Sequence, residues 1–316
     1  VTIYNYTFPQ YVFVTQWGNK DSDKKEFEHF LDIAVDSRQN VYVISSIIKN
    51  NIIRKFDSNG KFLIGWGDSI YGHTIGEFNI GEFICPKNIA IDIKDDVYVS
   101  DYIIDYYLQK FDSNGNFLAK WGNQLEDNKK ERILPYGITV DPKGYLFIAD
   151  HRCYIYKFNS VGNILRKWKL SNKPHRGKRW TQYPKDIAVD SKEYIYVVCY
   201  TRNTICSTYP WYSYIQKLDS SGELVTTWGS RGSREKYFEG NIYITIDVKD
   251  NIYVADCFNN CIQKFDSKGK FITTLGRKGS GYGEFLSPTG IAVDLEGNLY
   301  VADSGNHRIQ KFAPKQ

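Results

Sequence analysis

The chain contains no methionine, only 9 prolines and only 5 histidines among its 316 residues. No apolar run approaches the roughly 20 residues that a membrane-spanning helix requires, so a helical membrane protein is excluded. The first residues, Val1-Thr-Ile-Tyr-Asn-Tyr-Thr-Phe-Pro, lack the basic segment and apolar run of a secretory leader. With methionine absent, the expectation is a chain that has lost its initiator, either by export and processing or by trimming at a domain edge. Charge of one sign is also scarce in excess: 41 Lys and Arg against 36 Asp and Glu give a net charge of +5. Spread over this length, that surplus does not by itself point to nucleic acid. No His-Glu-x-x-His motif, Gly-rich phosphate loop, nucleophile triad or close carboxylate dyad stands out.

What is abundant is aromatic residues and glycine: 25 Tyr, 18 Phe, 7 Trp and 25 Gly. They recur in order. The tetrad Ile-Ala-Val-Asp or a close variant ends at Asp36, Asp92, Asp141, Asp190, Asp247 and Asp294, about every fifty residues. A polar turn follows each tetrad, then a strand such as Val41-Tyr-Val or Leu299-Tyr-Val, then a polar hairpin. A third strand comes next, Ile53-Arg-Lys-Phe56 in the first repeat and Ile309-Gln-Lys-Phe312 in the last. An Asp-Ser-x-Gly turn then leads to a fourth strand ending in Trp-Gly at Trp66, Trp121 and Trp228, with Trp168-Lys169 and Leu275-Gly276 as variants. The segments are short, alternate apolar with polar and are separated by hairpin residues, the pattern of half-buried antiparallel strands.

Four strands per repeat make the blade of a β-propeller. The expected fold is all-β: one six-bladed β-propeller over residues 1–316. The blades are placed at about 27–67, 81–122, 134–169, 183–229, 238–276 and 285–312, the last joined by 11–18. That last assignment follows because the sixth repeat stops after its third strand, while Tyr11-Val-Phe-Val-Thr-Gln-Trp17-Gly18 supplies a fourth strand at the other end of the chain. Gly283-Glu-Phe285, Pro288-Thr-Gly-Ile-Ala-Val-Asp294 and Leu299-Tyr-Val-Ala-Asp-Ser-Gly-Asn-His-Arg-Ile-Gln-Lys-Phe312 resemble the NHL repeat family. The resemblance implies the propeller and a ligand face formed by the hairpins between second and third strands with the links between blades. Such propellers serve as protein-binding, RNA-binding, sensory and, in one branch, lyase domains, so the fold alone does not decide the role.

Departures from the repeat are where function is to be sought. The link Lys169-Leu-Ser-Asn-Lys-Pro-His-Arg-Gly-Lys-Arg-Trp180 carries Lys169, Lys173, Arg176, Lys178 and Arg179 with no acid, and Trp180 and Tyr183 follow. Basic groups beside aromatics can track a phosphate backbone and stack bases; a solvated basic loop is the plainer reading. The blade-four hairpin Tyr200-Thr-Arg-Asn-Thr-Ile-Cys-Ser-Thr-Tyr-Pro-Trp-Tyr-Ser213 is longer than its equivalents and carries Arg202, Tyr209, Trp211 and Tyr212. Rigid aromatics in an exposed loop supply contact area at low entropic cost, although they can equally fold back over a neighbour. Blade four is therefore the expected binding site, through Arg176, Lys178, Arg179, Trp180, Arg202, Tyr209, Trp211 and Tyr212.

The six cysteines fall on hairpins and links of one face, and their spacing allows disulfides Cys257–Cys261 and Cys199–Cys206. Cys85 with Cys153 would have to cross between blades. An even cysteine count and one glycosylation sequon at Asn5-Tyr6-Thr7 favour an extracellular or cell-surface location, with a cytoplasmic one as the alternative. His29, His73, His151, His175 and His307 are scattered over loops of several blades, so neither a metal site nor a cofactor is expected. The six tetrad aspartates recur in every blade and read as turn-holding groups. The expected role is a non-enzymatic binding or assembly scaffold for a protein or glycan partner. RNA binding through residues 169–180 is the alternative, a metal-dependent lyase or hydrolase a third, and self-assembly is also open.

Overall fold

The computed structural model describes residues 10–18, 30–45, 50–69, 81–101, 108–121, 133–170, 180–203, 211–229 and 238–315. Six antiparallel sheets follow one another around a ring. Blade one begins with strands Phe30–Val35 and Val41–Ser45. Blades two to five repeat the order, and blade six consists of Pro288–Val293, Leu299–Asp303 and Arg308–Pro314 with Tyr11–Trp17 as its outer strand. That outer strand pairs from Tyr11 opposite Pro314 to Trp17 opposite Ile309, so both ends of the chain lock the ring in one sheet.

The tetrad aspartates hold turns, as the repeat implied. Asp36 Oδ1 accepts from the amides of Arg38 and Asn40 at 3.0 and 2.8 Å, and Asp294 Oδ1 does the same for Glu296 and Asn298. The other carboxylate oxygen accepts from a tyrosine two residues into the next strand: Tyr42 on Asp36, Tyr98 on Asp92, Tyr196 on Asp190, Tyr253 on Asp247 and Tyr300 on Asp294, all at 2.9–3.1 Å. A lysine of the third strand closes each triad over the ring, as Lys55 does on Tyr42 at 4.9 Å and Lys311 on Tyr300 at 5.1 Å. Several of these ammonium groups also reach the next blade, Lys55 to Ser113 O and Lys217 to Ser267 O. The motif Asp–Tyr–Lys is thus a structural unit that both shapes a turn and ties neighbouring blades.

Blade three breaks the unit. Phe147 stands where the others have tyrosine, buried at 1% exposure, and Asp141 Oδ2 has no hydrogen-bond partner. Burial accordingly pushes the Asp141 carboxyl above its ordinary pKa. Phe147→Tyr should supply the missing donor and stabilise the fold by about 1 kcal/mol, the worth of one hydrogen bond to a buried acceptor. A urea denaturation midpoint unchanged or lowered by the substitution would show that the blade cannot admit the hydroxyl.

The apolar core is divided into clusters that lie between neighbouring blades. The Trp that ends a fourth strand covers the turn glycine of the next blade: Trp17 over Gly60, Trp66 over Gly115, Trp121 over Gly162, Trp168 over Gly222 and Trp228 over Gly269. The repeated Trp and the repeated Asp-Ser-x-Gly turn are therefore two halves of one inter-blade contact.

Candidate functional site

The first strand of every blade lines the central channel, a cavity of about 480 Å³ that opens among the tetrad turns. In blades one, two and four the residue before the tetrad isoleucine projects a side chain at its far end: Asp32, Asn88 and Asp186 all line it. Each accepts an amide from a neighbouring blade, Asp32 from Ile89 N at 3.0 Å, Asn88 from Ile138 N at 2.9 Å and Asp186 from Ile244 N at 2.9 Å. Gly137 occupies the same position in blade three because a Cβ there would lie 2.6 Å from the Asp186 backbone.

Burial dominates the electrostatics of this layer. The Asp186 carboxyl is pushed up to about 7, and that of Asp32 well above the usual carboxylate range, by desolvation and, for Asp32, by the Asp186 charge. A folded state that holds a proton more tightly than the unfolded chain loses stability as pH rises. The window runs from about pH 4, the ordinary aspartate value, to about 7. Asn88 already shows that an amide fits this position, so Asp186→Asn should be near neutral at about pH 4 and stabilising by more than about 1 kcal/mol at pH 8, more than one pKa unit's worth. Thermal melts across pH 4–8 measure this; a variant with the wild-type slope would place the titration elsewhere.

Above the channel, on the face of the hairpins and inter-blade links, blade four stands taller than its neighbours. Its strands Trp180–Val189, Ile195–Asn203 and Trp211–Leu218 run to 10, 9 and 8 residues, against 6, 5 and 5 for Pro135–Val140, Leu146–Asp150 and Tyr154–Phe158 in blade three. Pairing continues past Pro184 opposite Cys199 up to Trp180 opposite Asn203, and past Cys199 opposite Tyr214 up to Arg202 opposite Trp211. Four extra residues at strand rise carry the ribbon about 13 Å further. A short strand, Phe238–Glu239, braces it by pairing with Tyr212 and Ser213.

Of the residues expected to bind, Trp180, Arg202 and Trp211 have their backbones at the top of this ribbon, with Arg202 opposite both Thr181 and Trp211. Arg176, Lys178, Arg179 and Tyr209 lie outside the described residues. Tyr212 is a correction: it belongs to a strand, not an open loop, and is 5% exposed in the cluster between blades three and four. The disulfide expectation is corrected too. Cys257 is a thiol whose Sγ donates to Pro288 O at 2.7 Å. Register sets Cys261 opposite Asp256, not Cys257, and adjacent strand residues point to opposite faces. Cys199 is likewise a buried thiol, accepting from Gln182 Nε2 at 3.2 Å, opposite Pro184 and Tyr214 in the sheet; Cys206 lies outside the described residues.

Among the described residues, the blade-six hairpin and the link before it are tied down on this face. Arg308 donates to Asp303, Gln16, Ser280 O, Gly281 O and Glu284 O, and Gln310 holds the link through Gly283 N and Glu284 O. Gln109 repeats that clamp in blade two with Gly81 N and Glu82 O. Blade six is thus framework on this face. The features that the repeat reading missed sit around the channel mouth between blades three, four and five. There Tyr136, His151 and Tyr183 stack in series, their centroids 5.7 and 4.4 Å apart. Beside them Lys185 lies 5.0 Å from the Tyr243 ring and 5.8 Å from that of Tyr200. The signal for Tyr136 and Lys185 was the variable position two residues before each tetrad, which holds Leu31, Lys87, Tyr136, Lys185 and Thr289 in blades one, two, three, four and six.

The NHL repeat model matches residues 285–312, the framework blade just described. The chain is an NHL-repeat β-propeller. No curated protein matches this NHL chain in sequence. Among solved structures it is similar in fold to a virginiamycin B lyase from Staphylococcus aureus, at 15% identity and a TM-score of 0.55 over 95% of this chain and 98% of that one. A protein of unknown function from Bacteroides thetaiotaomicron is 17% identical with a TM-score of 0.63, covering 97% of this chain and 76% of that one. The WD40 propeller domain of Doa1 is 11% identical with a TM-score of 0.54, covering 98% and 99%. An enzyme and a WD40 domain at such identities share the architecture with this NHL propeller and nothing finer.

Proposed function

We propose that this NHL propeller is a non-enzymatic binding scaffold that engages a protein or glycan partner through the raised edge of blade four. The observation that supports this reading is the braced ribbon ending at Trp180, Arg202 and Trp211. A three-stranded extension presents a partner with a rigid platform, so little ordering entropy is lost on docking. Aromatic and arginine side chains are the residue types that concentrate binding energy in such contacts.

The direct test is a glycan array and a panel of purified cell-surface proteins probed with the wild-type chain and with Arg202→Ala/Trp211→Ala. Binding that the double variant loses by tenfold or more, with an unchanged melting temperature, is the expected result. Equal binding by both chains would remove blade four from the reading. The RNA reading draws on a different feature, the basic run from Lys169 to Arg179 that leads directly into Trp180. It requires affinity for a single-stranded oligonucleotide that falls steeply with salt.

A further inference from the structure

The outermost strand of each blade is an edge whose outward backbone groups can pair with another chain, and charged side chains there discourage such pairing. In five blades the residue opposite the third-strand lysine and the one after it include a polar side chain. They are Ala119-Lys120, Arg166-Lys167, Thr226-Thr227, Thr273-Thr274 and Thr15-Gln16 in blades two to six. Blade one has Ile64-Gly65 there, opposite Lys55 and Arg54. Its outer strand Phe62–Ser69 exposes Phe62, Leu63 and Ile64 in succession, at 52, 44 and 38%. No other outer strand among the described residues exposes three large apolar side chains in a row. Among the described residues the outer side of 62–67 pairs with nothing, since Glu82–Phe83 takes up only Asp68 and Ser69. A strand glycine lets another backbone come close, and Gly65 lies near the middle of this edge.

We propose that this edge is a docking site for a second copy of the chain, the two blade-one strands pairing antiparallel about a two-fold axis. Charge selects both the occupant and the orientation. Lys61 and Asp68, both exposed, bracket the uncharged run 62–67. Antiparallel pairing sets the Lys61 end of each strand beside the Asp68 end of the other, whereas parallel pairing would bring like charges together. The outer strand of blade three is a poorer match, because it carries Arg166, Lys167 and Lys169 against the one carboxylate of Asp68.

Two-fold pairing consumes the one unguarded edge of each copy, so association stops at the dimer. One strand edge per copy buries less than the roughly 1,200 Å² of a stable interface, so the dimer is weak and forms at micromolar concentrations. Blade four stands across the ring from blade one, so the pair turns both raised ribbons outward. A partner displayed in many copies would then be held at two sites at once. The pairing itself does not depend on what those ribbons bind.

The test is sedimentation velocity of the wild-type chain from about 1 to about 200 μM. A weight-average mass that rises from monomer towards dimer, with nothing larger, is expected. Ile64→Lys places a cation where blade three carries Arg166 and should weaken association at least tenfold. Ile64→Thr, the residue that blades four, five and six hold at this position, should weaken it less. Other blades already accommodate both residue types, and a thermal melt of each variant confirms that it folds. Lys61→Asp and Asp68→Lys should each weaken the dimer about threefold or more, and the double reversal should restore it. A chain that stays monomeric throughout, wild-type association by both Ile64 variants, single reversals without effect, or growth beyond the dimer would each overturn the pairing.

Discussion

A chain lacking residues 1–18 should lose its cooperative unfolding transition or melt more than about 10 °C below the full chain, a loss of several kcal/mol. The strand Tyr11–Trp17 does more than cover an edge. Trp17 is 9% exposed and packs against Phe56 of blade one and over Gly60, while Tyr11 is 4% exposed and bonds the Tyr253 hydroxyl of blade five at 2.7 Å. Phe13 stacks on Tyr282 at 4.4 Å and meets Phe312 edge-on. One strand thereby contacts three consecutive blades. Truncating a single buried aromatic costs about 3–5 kcal/mol, and this deletion removes two along with a ladder of backbone bonds to residues 309–314. Such a sum is comparable with the whole stability of a typical domain. Removing the residues after Ala313 gives the comparison: these make the far end of the same ladder, Tyr11 opposite Pro314 and Lys315 N on Gln10 O, and bury no aromatic. A far-UV circular dichroism melt decides it. Equal midpoints for full and N-terminally truncated chains would mean that the ring does not depend on this closure.

The architecture was legible in the sequence because the propeller writes each stabilising contact six times. Ile-Ala-Val-Asp marks the first strand and its turn, Lys-Phe the third strand, and Trp-Gly the fourth, and each sits in the structure where the repeat placed it. The missing fourth strand of blade six was readable for the same reason: a gap in a strict period shows what must fill it. Features that depend on register were not legible. The four-residue gap between Cys257 and Cys261 looks suited to a bridge until the ladder sets Asp256 against Cys261. Likewise Tyr212 reads as a loop aromatic until the strands of blade four are found to continue upward and take it into the core.

The channel mouth was hidden for a topological reason. Lys185 meets Tyr243 and feels Lys87 and Cys257 only because blades two, four and five converge on the axis. These residues are far apart in the chain, and each is a single exception to its own repeat. A position that varies from blade to blade carries little signal along the sequence, yet the ring collects those positions into one place. Framework and site thus separate cleanly here. The repeated residues face neighbouring blades and bottom turns, whereas the unrepeated ones near the axis gather on the opposite face between blades three and five.

The inter-blade contact of Trp with turn glycine gives the second large effect. At Gly222, with φ +90°, an added Cβ would lie 1.9 Å from Trp168 Cδ1. Gly222→Ala therefore combines two penalties. A left-handed backbone costs a non-glycine residue roughly 1–2 kcal/mol, and the indole must also move. Trp168 has little room to do so, because its ring lies nearly parallel to that of Phe147 at 6.4 Å and packs on the cluster between blades three and four. Gly144 separates the two terms. It has nearly the same backbone, φ +83°, but its nearest neighbour to a Cβ is an Ile93 methyl at 4.0 Å. Gly144→Ala should then cost only the backbone strain, and Gly222→Ala at least about 3 kcal/mol, the difference being the displaced indole. Urea midpoints of the two variants, with tryptophan fluorescence to report the Trp168 environment, test the contact. If both lose the same small amount, tryptophan packing on the turn contributes nothing to holding adjacent blades together, and backbone strain alone explains why glycine recurs there.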